Sequence, residues 1–151
     1  MKKLPLVLVI LSVVFFVSPV MADEDLGRYS YIQIESVLID VVDLDEAVFD
    51  VKYHVDDNVD FLVLLLGKND LKQKLCDIFD LEDCSFATVG SGHARFVSDI
   101  HSYNNGDGTY WFPEMSFKIE IPNVTVRAQE NYKIFDSVQE FPGIGYYYMN
   151  E

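Results

Sequence analysis

The sequence predicts a mainly β fold, an antiparallel β-sandwich with one short helical insertion at about residues 70–80. Three observations carry that prediction. Apolar and polar residues alternate with period two over most of the chain. Clusters of Asn, Asp, Gly and Pro recur about every ten residues, where turns are needed. A single window, Leu71 to Phe79, places apolar residues at helical spacing instead. Seven to nine short strands follow, and an immunoglobulin-like topology is the default arrangement for them. The cysteines do not mark that topology, because Cys76 and Cys84 are only eight apart and have no tryptophan between them.

The first element lies outside the sandwich. Met1-Lys2-Lys3 is a short positive start, Leu4 to Val17 is an almost unbroken apolar run, and Ser18-Pro19 breaks it. Val20-Met21-Ala22 then places small or modest side chains at the −3 and −1 positions of a cleavage site. This is the pattern of a secretory signal peptide cleaved near Ala22. The run is shorter than the ~20 residues that cross a bilayer as a membrane anchor. Residues 1–22 are therefore expected to be removed. Residues 23–151 are expected to form a single β-sandwich domain without a transmembrane segment, secreted or associated with the cell envelope.

The strands follow in order. Ile32 and Ile34 alternate with polar neighbours, and then the phase slips by one to Val37, Ile39 and Val41, which predicts a β-bulge near Glu35-Ser36. Asp43-Leu44-Asp45 is a turn. Ala47, Phe49, Val51, Tyr53 and Val55 form the clearest inward face in the chain. After Asp56-Asp57-Asn58, the run Phe61–Leu66 suits a buried strand. Asn69 or Asp70 caps the predicted helix, with Gln73 completing a capping box, and Leu71, Leu75, Ile78 and Phe79 share one face. Arg95 to Tyr103 is extended. Asn104 to Gly108 is a hairpin turn rich in residues that tolerate positive φ. Pro113 interrupts the next strand, and Pro122 shifts its phase from Ile121 to Val124. Tyr132 to Phe135 and Gly145 to Met149 close the set.

Composition excludes some partners. Half the chain is apolar and 14% is aromatic, enough to bury a core. Beyond Ala22 there are nine basic and 25 acidic residues, a net charge of −16. Such a domain repels nucleic acid and anionic lipid. In an exported chain the two cysteines have one possible pairing, so a Cys76–Cys84 disulfide is expected.

Candidate sites are few. Asp43, Asp45, Asp56 and Asp57 lie at two acidic turns and are candidate calcium ligands, since calcium takes six to eight oxygens from flexible carboxylates and carbonyls. The turns bracket one strand and so fall at its opposite ends. Solvated, charged loops account for them more simply than a bound ion does. Asn105, Asp107, Gly108 and Glu114 match EF-hand positions, but Tyr103 stands where the first carboxylate belongs and the flanks are strands, so the match is a coincidence. The three histidines lack zinc-ligand spacing, and Gly90-Ser91-Gly92-His93 is a flexible loop, not a nucleophile elbow. Asn123-Val124-Thr125 is an N-glycosylation sequon with Asn123 on the solvent face. In Tyr110-Trp111-Phe112 and Tyr146-Tyr147-Tyr148, alternation turns at least one ring to the surface or an edge, with Trp111 and Tyr147 as the candidate aromatic binding surface, although core packing of a two-layer sandwich accounts for these rings more simply.

The stretches Gly106–Glu114, Ile121–Val126 and Phe141–Tyr146, about a third of the chain, resemble small exported archaeal proteins of unassigned function. The resemblance implies export and a β-rich fold. It carries over no activity and no site residues.

The expected function is a non-catalytic binding or interaction module of the cell envelope or extracellular space. Its partner would be a surface protein, or a glycan held through exposed aromatics. The alternatives are a secreted acidic hydrolase acting on polymers and a calcium-stabilised structural surface module.

Overall fold

A computed structural model describes residues 27–57 and 67–148. The predicted signal peptide, the Phe61–Leu66 strand, Asn58 and Met149 lie outside the described residues. The fold is mainly β, with two sheets and one short helix sharing a connected core.

The larger sheet has the order β3-β4-β2-β1-β7-β8. Strands β1 (Ile32–Asp43) and β2 (Glu46–Val55) form an antiparallel hairpin around the predicted Leu44-Asp45 turn. Ile34 pairs with Tyr53 and Ser36 with Lys52, so Glu35 is the extra residue of the predicted bulge. The inward face of β2 is as expected, with Ala47, Phe49, Val51, Tyr53 and Val55 all buried. Strand β4 (His93–Asp99) pairs with β2 and turns Ala94, Phe96 and Ser98 inward. Strand β3 (Ser85–Val89) pairs with β4 at the sheet edge.

Strand β7 (Met115–Ala128) runs parallel to β1, the one parallel junction among the described strands, while β8 (Asn131–Phe141) pairs antiparallel with β7 at the other edge. A bidentate ion pair from Arg127 of β7 to Asp40 of β1 holds that junction, joining directly opposed residues. Pro122 shifts the phase of β7 as expected. Met115, Phe117 and Ile121 are buried before it, and Val124, Val126 and Ala128 after it. Edge pairing is discouraged on β8 by the exposed Lys133 and by Ser137, whose φ of 51° kinks the strand. The second sheet is small, with β5 (Tyr103–Asn104), β6 (Thr109–Phe112) and β9 (Ile144–Tyr147) in that order. This division into six and three strands, with a parallel junction, does not establish the immunoglobulin-like topology.

Helix α1 (Asn69–Ile78) buries Leu71, Leu75 and Ile78. Its predicted capping box does not form. Lys68 takes the N-cap position with no side-chain cap hydrogen bond. The Asp70 carboxylate instead accepts a hydrogen bond from the Tyr31 hydroxyl at 2.6 Å, where its charge still favours the helix N-terminus. The C-terminus is closed by a Schellman arrangement. Asp80, at φ 53°, donates its N–H to the Asp77 carbonyl, and Leu81 donates to the Cys76 carbonyl. The Cys76–Cys84 disulfide, with Cα atoms 6.1 Å apart, ties this turn to β3.

A chain of ring contacts crosses the core. Phe86 of β3 meets Phe96 of β4, which stacks on Phe49 of β2 at 5.0 Å between centroids. Phe49 meets Phe79, the residue that ends α1, at 5.5 Å. Phe79 meets Phe117 of β7 edge-on, Phe117 meets Phe141 of β8, and Phe141 stacks on Phe112 of β6 at 6.1 Å. The small sheet is thus joined to the large one through aromatic packing, each such pair adding about 0.5–1.5 kcal/mol beyond area burial.

Replacing both Cys76 and Cys84 with serine removes the staple behind α1. The expected loss is about 2–3 kcal/mol in urea unfolding, the loop-entropy scale for so short a loop. An unchanged midpoint would contradict a stabilising bridge.

Candidate functional site

The outer face of the small sheet is built from the hairpin upward. Gly106 and Gly108 take φ of 84° and 87°, which lets the chain reverse between β5 and β6. Side chains reinforce the reversal: the Gly106 N–H donates to Asn104 Oδ1 at 2.8 Å, and the Thr109 N–H donates to Asp107 Oδ1 at 3.0 Å. This turn sets the register, pairing Tyr103 with Trp111 and Asn104 with Tyr110. On the other side of β6, Tyr110 pairs with Tyr146, Trp111 with Gly145 and Phe112 with Ile144.

Phe112, Ile144 and Tyr146 point inward and are buried. Alternation then sends Tyr103, Trp111 and Tyr147 to the outer face, where they are 63%, 40% and 65% exposed. Each of three adjacent strands carries one ring. Tyr103 lies directly opposite Trp111, and Tyr147, opposite Thr109, lies on the diagonal from it.

The indole lies over the β9 backbone. A Cβ added at Gly145 would stand 3.4 Å from Cε3 and 3.5 Å from Cζ3 of Trp111. One added at Gly143, where φ is 81°, would come within 2.7 Å of the indole Nε1 and 2.4 Å of the Phe112 carbonyl oxygen. The two glycines therefore leave the space in which the ring rests against β9 and its approach, while part of it stays exposed. No Lys or Arg occurs in residues 103–112 or 143–148, while Asp107 and Glu114 stand at the hairpin and just beyond β6.

The acidic β1–β2 turn docks beside this sheet. The Ser102 N–H donates to the Leu44 carbonyl and the Ile100 N–H to that of Asp45. Asp43 Oδ1 accepts from the Leu44 N–H at 2.7 Å and from the Tyr148 hydroxyl at 2.9 Å. The Leu44 amide, and then the Tyr148 hydroxyl, hold the Asp43 carboxyl below its ordinary range. Asp45 Oδ1 lies 2.8 Å from Nδ1 of His101. Buried Tyr146 donates to Ser102 Oγ, and its phenol is pushed above the usual range mainly by burial.

Asp56 and Asp57 fall at the far end of β2, roughly 30 Å away at about 3.3 Å per residue. The structure does not bring the four calcium candidates together. Among the described residues, no group of three or more His, Cys, Asp or Glu side chains is placed to hold a metal ion. His93 pairs with Asp50 at 2.8 Å across the outer face of the large sheet. Gly90 to His93 is the β3–β4 turn, closed by the Gly90 N–H on the His93 carbonyl and by the Tyr53 hydroxyl on the Gly90 carbonyl. Asn123 lies half-buried on the outer face of β7, donating to Asp136 Oδ1 at 3.1 Å. A groove of about 490 Å³ beside α1 is lined by Lys72, Gln73, Cys76, Glu82 and Phe86 among others.

Tyr103 is the site residue that sequence reasoning missed. Its signal was in the hairpin: counting outward from the Asn105–Thr109 closure pairs it with Trp111.

Fold and surface together define a β protein with exposed aromatic rings on adjacent strands of its small sheet. No family model, curated protein or solved structure matches the chain. Among the described residues, no helix is long and apolar enough to cross a membrane.

Two outcomes follow from this geometry. In an NMR pH titration, Asp43 should titrate below the ordinary aspartate midpoint, and Tyr148→Phe should move it upward. Because the folded value is depressed, the contact's contribution is present above the unfolded-state pKa and is lost as pH falls through the folded one. An unmoved midpoint in the variant would exclude the phenol as a cause. Gly143→Ala should cost about 1 kcal/mol or more and shift the Trp111 emission, since the new methyl meets both backbone and indole. Unchanged stability and emission would contradict the close approach.

Proposed function

We propose that this chain is an exported, non-catalytic recognition module, acting at the cell envelope or outside the cell through the outer face of its small sheet. The observation that carries the reading is the side-by-side exposure of Tyr103, Trp111 and Tyr147, one ring on each strand. Aromatic rings with two side-chain torsions offer large contact area at low entropic cost, and this is why they dominate binding surfaces. The apolar run and break of residues 1–22 support export, and the Cys76–Cys84 bridge suits an oxidising compartment.

The test is binding of the purified, labelled protein to envelope preparations of its source cells. Saturable binding is expected, and the double variant Trp111→Ala, Tyr147→Ala should weaken it at least about tenfold while keeping the circular dichroism spectrum of the folded protein. Equal binding by the folded variant would overturn the reading.

A further inference from the structure

We infer that the aromatic face binds an uncharged saccharide chain laid across β5, β6 and β9, with Trp111 as its central stacking platform. The inference deepens the proposed function and rests on that reading of the face. It is argued from area, charge and ring geometry.

Area comes first. Tyr and Trp side chains bury about 150–250 Å² each when fully covered. Three rings exposed by two-fifths to two-thirds offer a few hundred Å² at most. A protein partner in a stable complex covers about 800 Å² on each side. The rings by themselves are far smaller than that and match the area of a few sugar rings.

Geometry selects the ligand further. The indole rests against Gly145 and the Gly143 turn and stays partly exposed, so part of the ring is open to a ligand. An aromatic face is electron-rich. A pyranose ring presents a patch of weakly positive C–H bonds on one side and hydroxyls around its edge, which complements a flat ring with polar groups beside it. Those groups are present: the Tyr103 and Tyr147 side chains are well exposed, and Asn104, Asn105 and Asp107 line the hairpin at one end. The three rings follow one another across neighbouring strands, so a chain of sugars meets them in succession.

Charge decides the class. The face has no Lys or Arg in its strands or hairpin, Asp107 and Glu114 lie close by, and the whole chain has a net charge of −14. Uronate or sulfated chains would be repelled.

Trp111 is the only tryptophan in the protein, so its fluorescence reports on this face alone. The intact protein is titrated with cellohexaose, chitohexaose and mannohexaose, with oligogalacturonate as the anionic comparison. A saturable blue shift with at least one uncharged hexaose, absent with oligogalacturonate, is the expected result. By calorimetry, Trp111→Phe should retain binding and Trp111→Ala should weaken it about tenfold or more, the scale of losing one stacked ring. Tighter or equal binding of oligogalacturonate would overturn the inference. So would a panel with no shift whose envelope binding is lost to protease but kept after periodate; that result makes the partner a protein and leaves the contact face standing. If the folded Trp111→Ala, Tyr147→Ala variant binds envelopes as well as the unmodified protein does, both readings fail.

Discussion

The ring of Phe112 is the constraint on which the recognition face depends. It is fully buried and stacks on Phe141, at the end of a line of phenylalanines that starts at the β3 edge and passes through Phe49 and Phe79. A strand cannot turn neighbouring side chains to the same face. Once Phe112 is anchored inward, Trp111 must face outward, and the register of the hairpin brings Tyr103 beside it. The exposed aromatics are thus a consequence of the core. They are held by the same packing that joins the small sheet to the large one.

The helix contributes through its end more than through its length. Phe79, the residue after α1, touches rings on β2, β4 and β7. The Schellman turn and the disulfide fix the backbone on its C-terminal side. A ten-residue helix is marginal alone in water, so its stability must come from this docking. On the opposite flank, the acidic β1–β2 turn spends two of its carboxylates on Tyr148 and His101, which braces the approach to the small sheet.

Much of this was legible wherever a local rule decided the outcome. The slip between Ile34 and Val37 located the bulge, Pro122 located the phase change in β7, and the glycines of residues 104–108 located the hairpin. Strand β3 was not legible: as an edge strand it keeps most of its residues exposed, so Ser85–Val89 carries no two-period signal. The parallel contact of β1 with β7 joins segments some 87 residues apart, as in Asp40 and Arg127, and no local pattern encodes it. The predicted cap was misplaced because the helix begins one residue earlier, with Lys68 at the N-cap, and Asp70 in the first turn instead accepts from Tyr31, distant in sequence. For the candidate surface, alternation required one ring of each trio to leave the core, and the structure shows Trp111 and Tyr147 to be exposed. The part played by Gly143 and Gly145 needed three dimensions, since a glycine's use depends on what fills the space its missing side chain leaves.

The most direct test of this account is the proton spectrum of Gly145. If the Trp111 indole lies over β9 with its outer face free, the Gly145 Hα signals sit in the ring's shielding zone. They should be displaced upfield, show NOEs to the indole Hε3 and Hζ3, and return toward ordinary strand values in Trp111→Leu. Ordinary shifts without those NOEs would mean that the indole does not rest on the sheet, and the aromatic platform would not exist.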